Sequence, residues 1–591
     1  MTDLPRPEHP RPSVVRDTWL NLNGWWTFEQ DHGDSGLERG LLTRELKGRI
    51  QVPFCMESRL SGIGDTDRCL AVWYRREVEV PRAWTGRQVV LHLQAADHDT
   101  TVWVNGVEAG RHRGGMTPID LPLHGIKPGE RVSITVRCRD DWTSPQPRGK
   151  QSTAVLSAGC NYTRTTGIWQ TVWLEGVAPA HLRRPRIWPD LANHRYRCVL
   201  PVSPQADGAV AEAELVRDGR VLARARCAVG GDLAPCLDLV VPEGEVRLWQ
   251  PGSPHLDDIV LRLTSAGGSV LDEVRTYAGL RGCGMRGLAL TLNGRPRFQR
   301  LVLDQGYYPD GILTAPDDAA LVRDIELSLA VGFDGARLHQ KVFEERFLYH
   351  ADRLGYLVWG EFSDWGQEGI APGVWGATFP AQWTEALERD LSHPSIIGWC
   401  PVNESGPGRG ERIDAVEDAT TAMYRLTKLA DPSRPVIDAS GWTHRVDGAD
   451  VFDSHDYEQD VATFAAKHAK TAQGTVNSWA WNTPSGGMGN VPYRGQPYLV
   501  SEFGGALWDP AAATPGWGYG NAPKSEDEFQ TRFAGLCRAL LENPGIAGYC
   551  YTQLTDVEQE KNGLYRYDRS TKLDVARLHA AQRVPAAIDA G

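Results

Sequence analysis

From the N-terminus to about residue 180, apolar and polar positions alternate in short runs such as WWTFEQD, AVWYRREVEV, QVVLHLQ and RVSITVRC. A period of two puts the apolar side chains on one face of an extended strand, so this stretch reads as antiparallel sheet. The segment V-N-G-V-E-A-G at 104–110 predicts a tight hairpin, because Asn-Gly supplies the positive φ angles such a turn needs. A jelly roll over residues 1–181 follows. Residues 182–279 continue in strands, through RYRCVLPV, RVLARARCAV and DIVLRLTSAG, and have the length of one immunoglobulin-like β-sandwich. Trp249, Pro251 and Pro254 mark a structural corner within it.

After residue 280 the pattern changes to short apolar strands separated by longer amphipathic stretches. Eight strands can be read in order: PRFQRLVLD, GFDGARLH, GYLVWGEF, IIGWCPVNE, RPVIDASGW, DVFDSHDY, PYLVSEFGG and IAGYCYTQLTD. Helical periodicity lies between most of them, as in DDAALVRDIELSLAV and DEFQTRFAGLCRALLE. Eight β-then-α units over 280–591 predict a (β/α)₈ TIM barrel. The sixth crossover, about 461 to 494, is rich in Gly, Ser and Trp and reads as a long loop. The fold class is therefore multidomain, all-β followed by α/β.

In such a barrel the active site lies at the C-terminal ends of the strands. Those ends carry Asp304, Arg337 with His339, Glu361, Asn403 with Glu404, Trp442, His455 with Tyr457, and Glu502. Glu404 ends the fourth strand and Glu502 the seventh, on opposite sides of a narrow mouth. Two facing carboxylates are the minimum kit for glycoside hydrolysis, one as general acid and the other as nucleophile or base.

Composition narrows the partners. The 591 residues carry a formal charge of −12, which disfavours nucleic acid, since that partner needs a basic face. No apolar run approaches the roughly 20 residues of a membrane helix. The first residues, MTDLPRPEHPRP, have neither a basic n-region nor an apolar h-region, so a cytoplasmic location is expected. Eleven scattered cysteines without a C-x-x-C pair agree with reduced thiols. No H-x-H or H-E-x-x-H spacing gathers metal ligands, so neither a cofactor nor a catalytic metal is expected. Tryptophan is abundant, with 21 copies against 13 Phe. Indole faces suit stacking on a carbohydrate, and Trp442, Trp481 and Trp508 are the candidate platforms. The sequence leaves a homo-oligomer open.

Several motifs in one order give the chain a more specific likeness: WLNLNGWWTF, VPFCMES, WYRR, VWVNG, TGIWQTVWLE, LWQPGSPHL, GFDGARLH, WCPVNE and LVSEFGG. Together they resemble glycoside hydrolase family 2 along almost the whole chain. The resemblance implies a sugar-binding jelly roll, an immunoglobulin-like sandwich and a catalytic barrel that cleaves terminal glycosides with retention. It makes Glu404 the acid/base and Glu502 the nucleophile. It further implies that Asn403 holds the sugar 2-hydroxyl, that Tyr457 steadies the nucleophile, and that Arg337 is the family's second-strand arginine. His339, Glu361, His455 and Asp304 join the substrate-binding set by their strand-end positions. For the acid step, Glu404 is expected to sit where its pKa is raised by roughly two units.

Two departures bear on the sugar. Pyranoside-cleaving members carry a serine, a histidine, a tyrosine and a proline after that arginine. Here Leu338, His339, Gln340 and Lys341 follow Arg337, so the histidine keeps its place while the serine, the tyrosine and the proline are replaced. Glucuronidases of the family read the uronate with an Asn-x-Lys element before a Gly, where this chain has Glu560, Lys561, Asn562 and Gly563, and Glu560 would repel a carboxylate. These departures resemble the short, actinobacterial-type branch with furanosidase activities. The resemblance thus points to a β-D-galactofuranosidase, with α-L-arabinofuranoside or β-D-galactopyranoside as alternatives and β-glucuronide disfavoured. A carbohydrate-binding pseudoenzyme would have lost one of the two carboxylates, and both are present.

Overall fold

A computed structural model describes residues 4–366, 378–404, 415–478, 490–510 and 516–590. The N-terminal part is built from two antiparallel sheets of four and six strands. In the strand Gly24–Asp31, Trp26 and Phe28 point into the core while Trp25 and Thr27 face out, which is the alternation the sequence shows. Trp26, Phe28, Tyr74, Leu91 and Val136 lie in a single buried cluster of this part. Asn105 and Gly106, with φ of 51° and 81°, make the two-residue turn between Asp99–Val104 and Val107–Arg113. The next part is a sandwich of a three-stranded and a four-stranded sheet around Tyr196, Leu215 and Leu261. Trp249 leaves this part to become wholly buried among barrel residues, where its indole N–H donates to the Asp352 carbonyl at 2.7 Å.

The barrel strands are β1 Gln299–Asp304, β2 Gly335–Leu338, β3 Leu357–Glu361, β4 Ile396–Cys400, β5 at 436–440, β6 Phe452–Asp456, β7 Tyr498–Gly504 and β8 Gly548–Thr552. Seven form one parallel sheet in the order β4-β3-β2-β1-β8-β7-β6. β5 closes the ring through single bridges, Trp399 to Val436 and Asn403 to Ser440 on one side and Ile437 to Val451 on the other. Nearly every strand residue is buried, because a parallel sheet inside helices meets water on neither face, and this is why the strands read as continuous apolar runs. A small meander, Cys283–Arg286, Ala289–Leu292 and Arg295–Pro296, precedes β1 and contributes Leu290 and Leu292 to the barrel core.

The helices are α1 Asp318–Ala330, α2 Glu345–Leu354, α3 Thr378–Asp390, α4 Ala415–Ala430, α5 Val461–His468, α6 Glu526–Leu541 and α7 Val575–Gln582. The expectation of eight helical crossovers fails at the fifth. Residues 441–451 carry no helix, since the segment is polar, holds Gly441 and Gly448 at positive φ, and is pinned by side chains instead. The Asp438 carboxylate accepts from the amides of Arg445 and Val446, and His444 is buried between Asp438 at 2.7 Å and Asp453 at 3.1 Å. No helix among the described residues is long and apolar enough to cross a membrane.

Candidate active site

Arg337 organises the mouth of the barrel. It is 1% exposed, donates to Glu361, and reaches the Ser501 carbonyl at 2.7 Å, Glu502 Oε1 at 3.2 Å and Asn403 Oδ1 at 3.1 Å. These contacts set the orientation of Asn403. A guanidinium only donates, so Oδ1 must face Arg337 and the amide NH₂ must face the opposite way. There Nδ2 is buried and finds no partner among the described residues. The Asn403 backbone is held on both sides, by Asp364 on its N–H and by the indole of Trp365 on its carbonyl, each at 3.1 Å.

Adjacent residues on a strand normally face opposite sides, yet Asn403 and Glu404 both reach the mouth. The reason is the backbone of Glu404, which has a left-handed φ of 47° and is anchored by its N–H to the Ser440 carbonyl at 2.8 Å. A non-glycine residue in that region costs about 1–3 kcal/mol and persists only where surrounding structure enforces it. Glu502 is turned in by a register shift of β7 between Val500 and Phe503, the local effect of an extra residue in one strand.

His455 bridges the two carboxylates. Its Nδ1 lies 2.7 Å from Glu404 Oε1, and its Nε2 lies 3.0 Å from the Ser440 hydroxyl and 3.4 Å from Glu502 Oε1. One carboxylate oxygen of Glu404 and one of Glu502 lie within 4.8 Å of each other. Burial alone would raise the Glu404 pKa, but the His455 hydrogen bond and charge, followed by Lys150 and Arg337, hold it below the ordinary carboxyl value. The expected upward shift is therefore reversed in the free protein. His455 moves the other way: burial lowers it, while Glu502 and the bond to Glu404 raise it. Both shifts favour the arrangement with the proton on His455 and the charge on Glu404.

His339 is neutral, because burial and the charges of Lys150, Arg337 and His455 outweigh the pull of Glu502. Its Nδ1 is 2.9 Å from Glu361 Oε2. That fixes the proton on Nδ1 and leaves Nε2, 4.0 Å from Glu502 Oε1, as an acceptor. The Tyr457 hydroxyl donates to Glu502 Oε2 at 2.5 Å and lies 3.2 Å from the Thr552 hydroxyl. Its ring stacks on Tyr519, centroids 3.4 Å apart. Gly505 permits that stack, since it has φ 64° and a side-chain carbon there would meet the Tyr519 ring at 2.7 Å.

Other sequence candidates fall elsewhere. Glu361 spends both oxygens on Arg337 and His339, so it braces those groups instead of facing a ligand. Asp304 lies on the outer side of β1. Its Oδ1 accepts from Gly306 N–H, and burial together with the charge of Asp324 on α1 pushes its pKa up to about 7. Trp508 packs against Phe529 of α6. Trp442, 37% exposed as a residue, follows β5 next to Gly441, which lies against His455. Trp481 lies outside the described residues. The sequence reading missed Lys150, Trp365, Tyr519 and Ser440. Lys150 and Trp365 come from loops with no periodicity, and the one local signal was the glycine beside Lys150.

Among the described residues, Glu404, His455 and Glu502 are the group whose ligating atoms could surround a cation. The guanidinium of Arg337 between Glu361 and Glu502 and the nearby Lys150 ammonium already supply positive charge there, which opposes one.

A ring of strands with paired carboxylates at its C-terminal mouth, behind two β-sandwiches, defines a glycosidase architecture. Residues 64–174 match the sugar binding domain of glycosyl hydrolases family 2, and residues 317–508 match the TIM barrel domain of the same family. The chain belongs to that family and is an O-glycosyl hydrolase. It is 24% identical over 455 residues to a β-glucuronidase of Paenibacillus borealis, covering 72% of this chain and 74% of the relative. It is 27% identical over 389 residues to a β-galactosidase of Aeromonas hydrophila, covering 61% of this chain but 35% of the relative. In fold it is similar to a β-glucuronidase from Ruminococcus gnavus, with TM-score 0.78, 18% identity, 98% of this chain and 100% of the other covered. It is also similar to a family 2 β-galacturonidase from Eisenbergiella tayi bound to galacturonate, with TM-score 0.75, 20% identity and coverage of 98% and 99%.

Proposed function

We propose that the protein is a retaining exo-glycosidase that removes a neutral terminal sugar by double displacement, with Glu502 as nucleophile and Glu404 as acid/base. The observation that carries this reading is the carboxylate separation, within 4.8 Å between oxygens. Retaining enzymes keep their carboxyl groups about 5–5.5 Å apart, whereas inverting ones leave about 6.5–9.5 Å for a water. In the first step Glu502 attacks the anomeric carbon as the bond to the leaving oxygen breaks, and Glu404 gives that oxygen a proton. The proton of the Glu404–His455 pair supplies it, leaving His455 neutral. In the second step water attacks the glycosyl ester, gives its proton back to the pair, and frees Glu502. Arg337 and Tyr457 hold one oxygen of Glu502 each, which fixes the carboxylate for in-line attack.

The sugar we favour is a terminal β-D-galactofuranoside. An α-L-arabinofuranoside has the same ring stereochemistry and lacks only the exocyclic carbon. Support comes from Glu560, which is 1% exposed and lies where a uronate reader would need positive charge, and from the altered residues after Arg337. With nitrophenyl glycosides, turnover of galactofuranoside or arabinofuranoside ahead of galactopyranoside and glucuronide is expected. Comparable kcat/KM on the last two, with none on furanosides, would overturn the choice of sugar. Glu502→Ala should abolish turnover, and azide should rescue Glu404→Ala as a glycosyl azide of retained configuration. An inverted azide would overturn the double displacement.

A further inference from the structure

The loop 148–151 belongs to the N-terminal part of the chain but is built into the barrel. The Arg148 N–H donates to the Trp365 carbonyl at 2.8 Å, and the Gly149 N–H to the carbonyls of Ser363 and Trp365 at 3.1 Å. Gly149 has φ 61°, and a side-chain carbon there would fall 2.0 Å from the Gln340 carbonyl oxygen, so only glycine allows the approach. On the far side, Gln151 donates to Asp97 at 2.8 Å and accepts from Thr165 N–H at 2.7 Å, and Tyr162 N–H donates to the Lys150 carbonyl at 2.8 Å. Lys150 is thereby fixed between two anchors.

Its side chain is 7% exposed, and its ammonium lies 5.3 Å from the centre of the Trp365 ring. That ring is the one bonded to the Asn403 carbonyl. The ammonium forms no hydrogen bond or ion pair with any described residue. It stays charged. Burial would lower its pKa, but Cys160 and the carboxylates of Glu560, Glu502 and Glu404 raise it. With no partner of its own among the described residues, the ammonium has its donors open to a ligand. Glu560, whose charge acts on that ammonium, accepts from the Tyr162 hydroxyl at 2.5 Å and from Asn562 Nδ2 at 2.9 Å, and each of its oxygens retains a lone pair.

We propose that Lys150 is a substrate-binding and specificity-determining residue, and that its ammonium and the Glu560 carboxylate bracket a hydroxyl of the neutral sugar. A hydroxyl can accept from the ammonium and donate to the carboxylate at once, whereas a sugar carboxylate could satisfy Lys150 only by facing Glu560. This deepens, and rests on, the reading of the site as one for a neutral terminal sugar.

The test uses the full-length enzyme, Lys150→Met and Lys150→Gln, and deoxy analogues of whichever nitrophenyl glycoside the wild type prefers. Each variant is expected to lower kcat/KM by about 10- to 100-fold, as for a lost charge-assisted hydrogen bond, while its thermal midpoint changes little, because the ammonium makes no hydrogen bond or ion pair that the fold would lose. For one hydroxyl other than the 2-hydroxyl, its removal should slow the wild type by a similar factor and the variants hardly at all. If hydroxyl removal and substitution act independently at every position, the assignment of Lys150 is overturned while the neutral-sugar reading stands. If the wild type prefers a uronide and the variants lose that preference, Lys150 holds a carboxylate and both are overturned. The glutamine variant retains a chain of similar polarity should the methionine variant fail to fold.

Discussion

Asn403→Ala tests the buried amide that the proposed mechanism assigns to the sugar 2-hydroxyl. In the free enzyme the Nδ2 group is an orphan donor among the described residues, a condition that costs about 1–3 kcal/mol. Truncation removes that cost together with the 3.1 Å bond from Arg337, so the two changes nearly cancel in the folded state and the thermal midpoint should move by only a few degrees. Catalysis has no such cancellation. A hydrogen bond to the sugar 2-hydroxyl strengthens as the oxocarbenium-like transition state forms, and losing a donor used mainly there costs about 2.7–4 kcal/mol, or 10²- to 10³-fold. The loss should fall on kcat with KM moving less than tenfold. Steady-state kinetics on a nitrophenyl glycoside and its 2-deoxy analogue check the pairing. The wild type should lose 10²- to 10³-fold on the analogue, and the variant should match the wild type there to within about threefold. If the two losses multiply instead, Asn403 does not hold that hydroxyl and the orientation argument fails.

Further outcomes can be measured. Tyr457→Phe removes the 2.5 Å bond to Glu502, worth about 1.5–3 kcal/mol for a charged acceptor, so kcat should fall roughly 10- to 150-fold with KM little changed. A change under twofold would refute its role in holding the nucleophile. Gly149→Ala should displace the 148–151 loop and lower kcat/KM about 10²-fold, the size of effect expected from a misplacement of about 1 Å; unchanged kinetics would show that the loop position is immaterial. For stability, burial lowers the His444 pKa but Asp438 and Asp453 raise it, from 6.5 to about 10. A value raised on folding adds stability that is complete below pH 6.5 and is lost as the pH climbs towards 10. The unfolding free energy from urea titrations should therefore fall across that interval by a few kcal/mol, and less steeply in His444→Gln; a flat wild-type profile would contradict the assignment.

Most of the fold was legible because its signals are local. Alternation marked the sandwich strands, Asn105-Gly106 marked a turn, and eight apolar runs marked the barrel. The fifth crossover was misjudged because strand counting says nothing of a link held by Asp438 and His444. At the site, Glu404, Glu502, Asn403, Arg337, His455 and Tyr457 could be found by taking the last residues of successive strands. The same rule misled at Asp304, because the pleat of β1 turns that final residue outward, and at Glu361, whose partners lie on the neighbouring strand. The Glu404 pKa could not be judged from its neighbours in sequence, since His455 meets it from 51 residues away. Lys150 had only Gly149 beside it as a local signal, because the packing of the N-terminal part on the barrel is what brings it near.

That packing makes the pocket a seam between the jelly roll and the barrel. Bond cleavage depends on groups inside the barrel, while part of the sugar's outline is written on the loop that the jelly roll lends to it. The two duties can therefore diverge independently. A hybrid in which this barrel carries a relative's jelly roll would keep its carboxylate pair and answer to a different sugar, provided that the loop still finds the backbone of Gln340, Ser363 and Trp365.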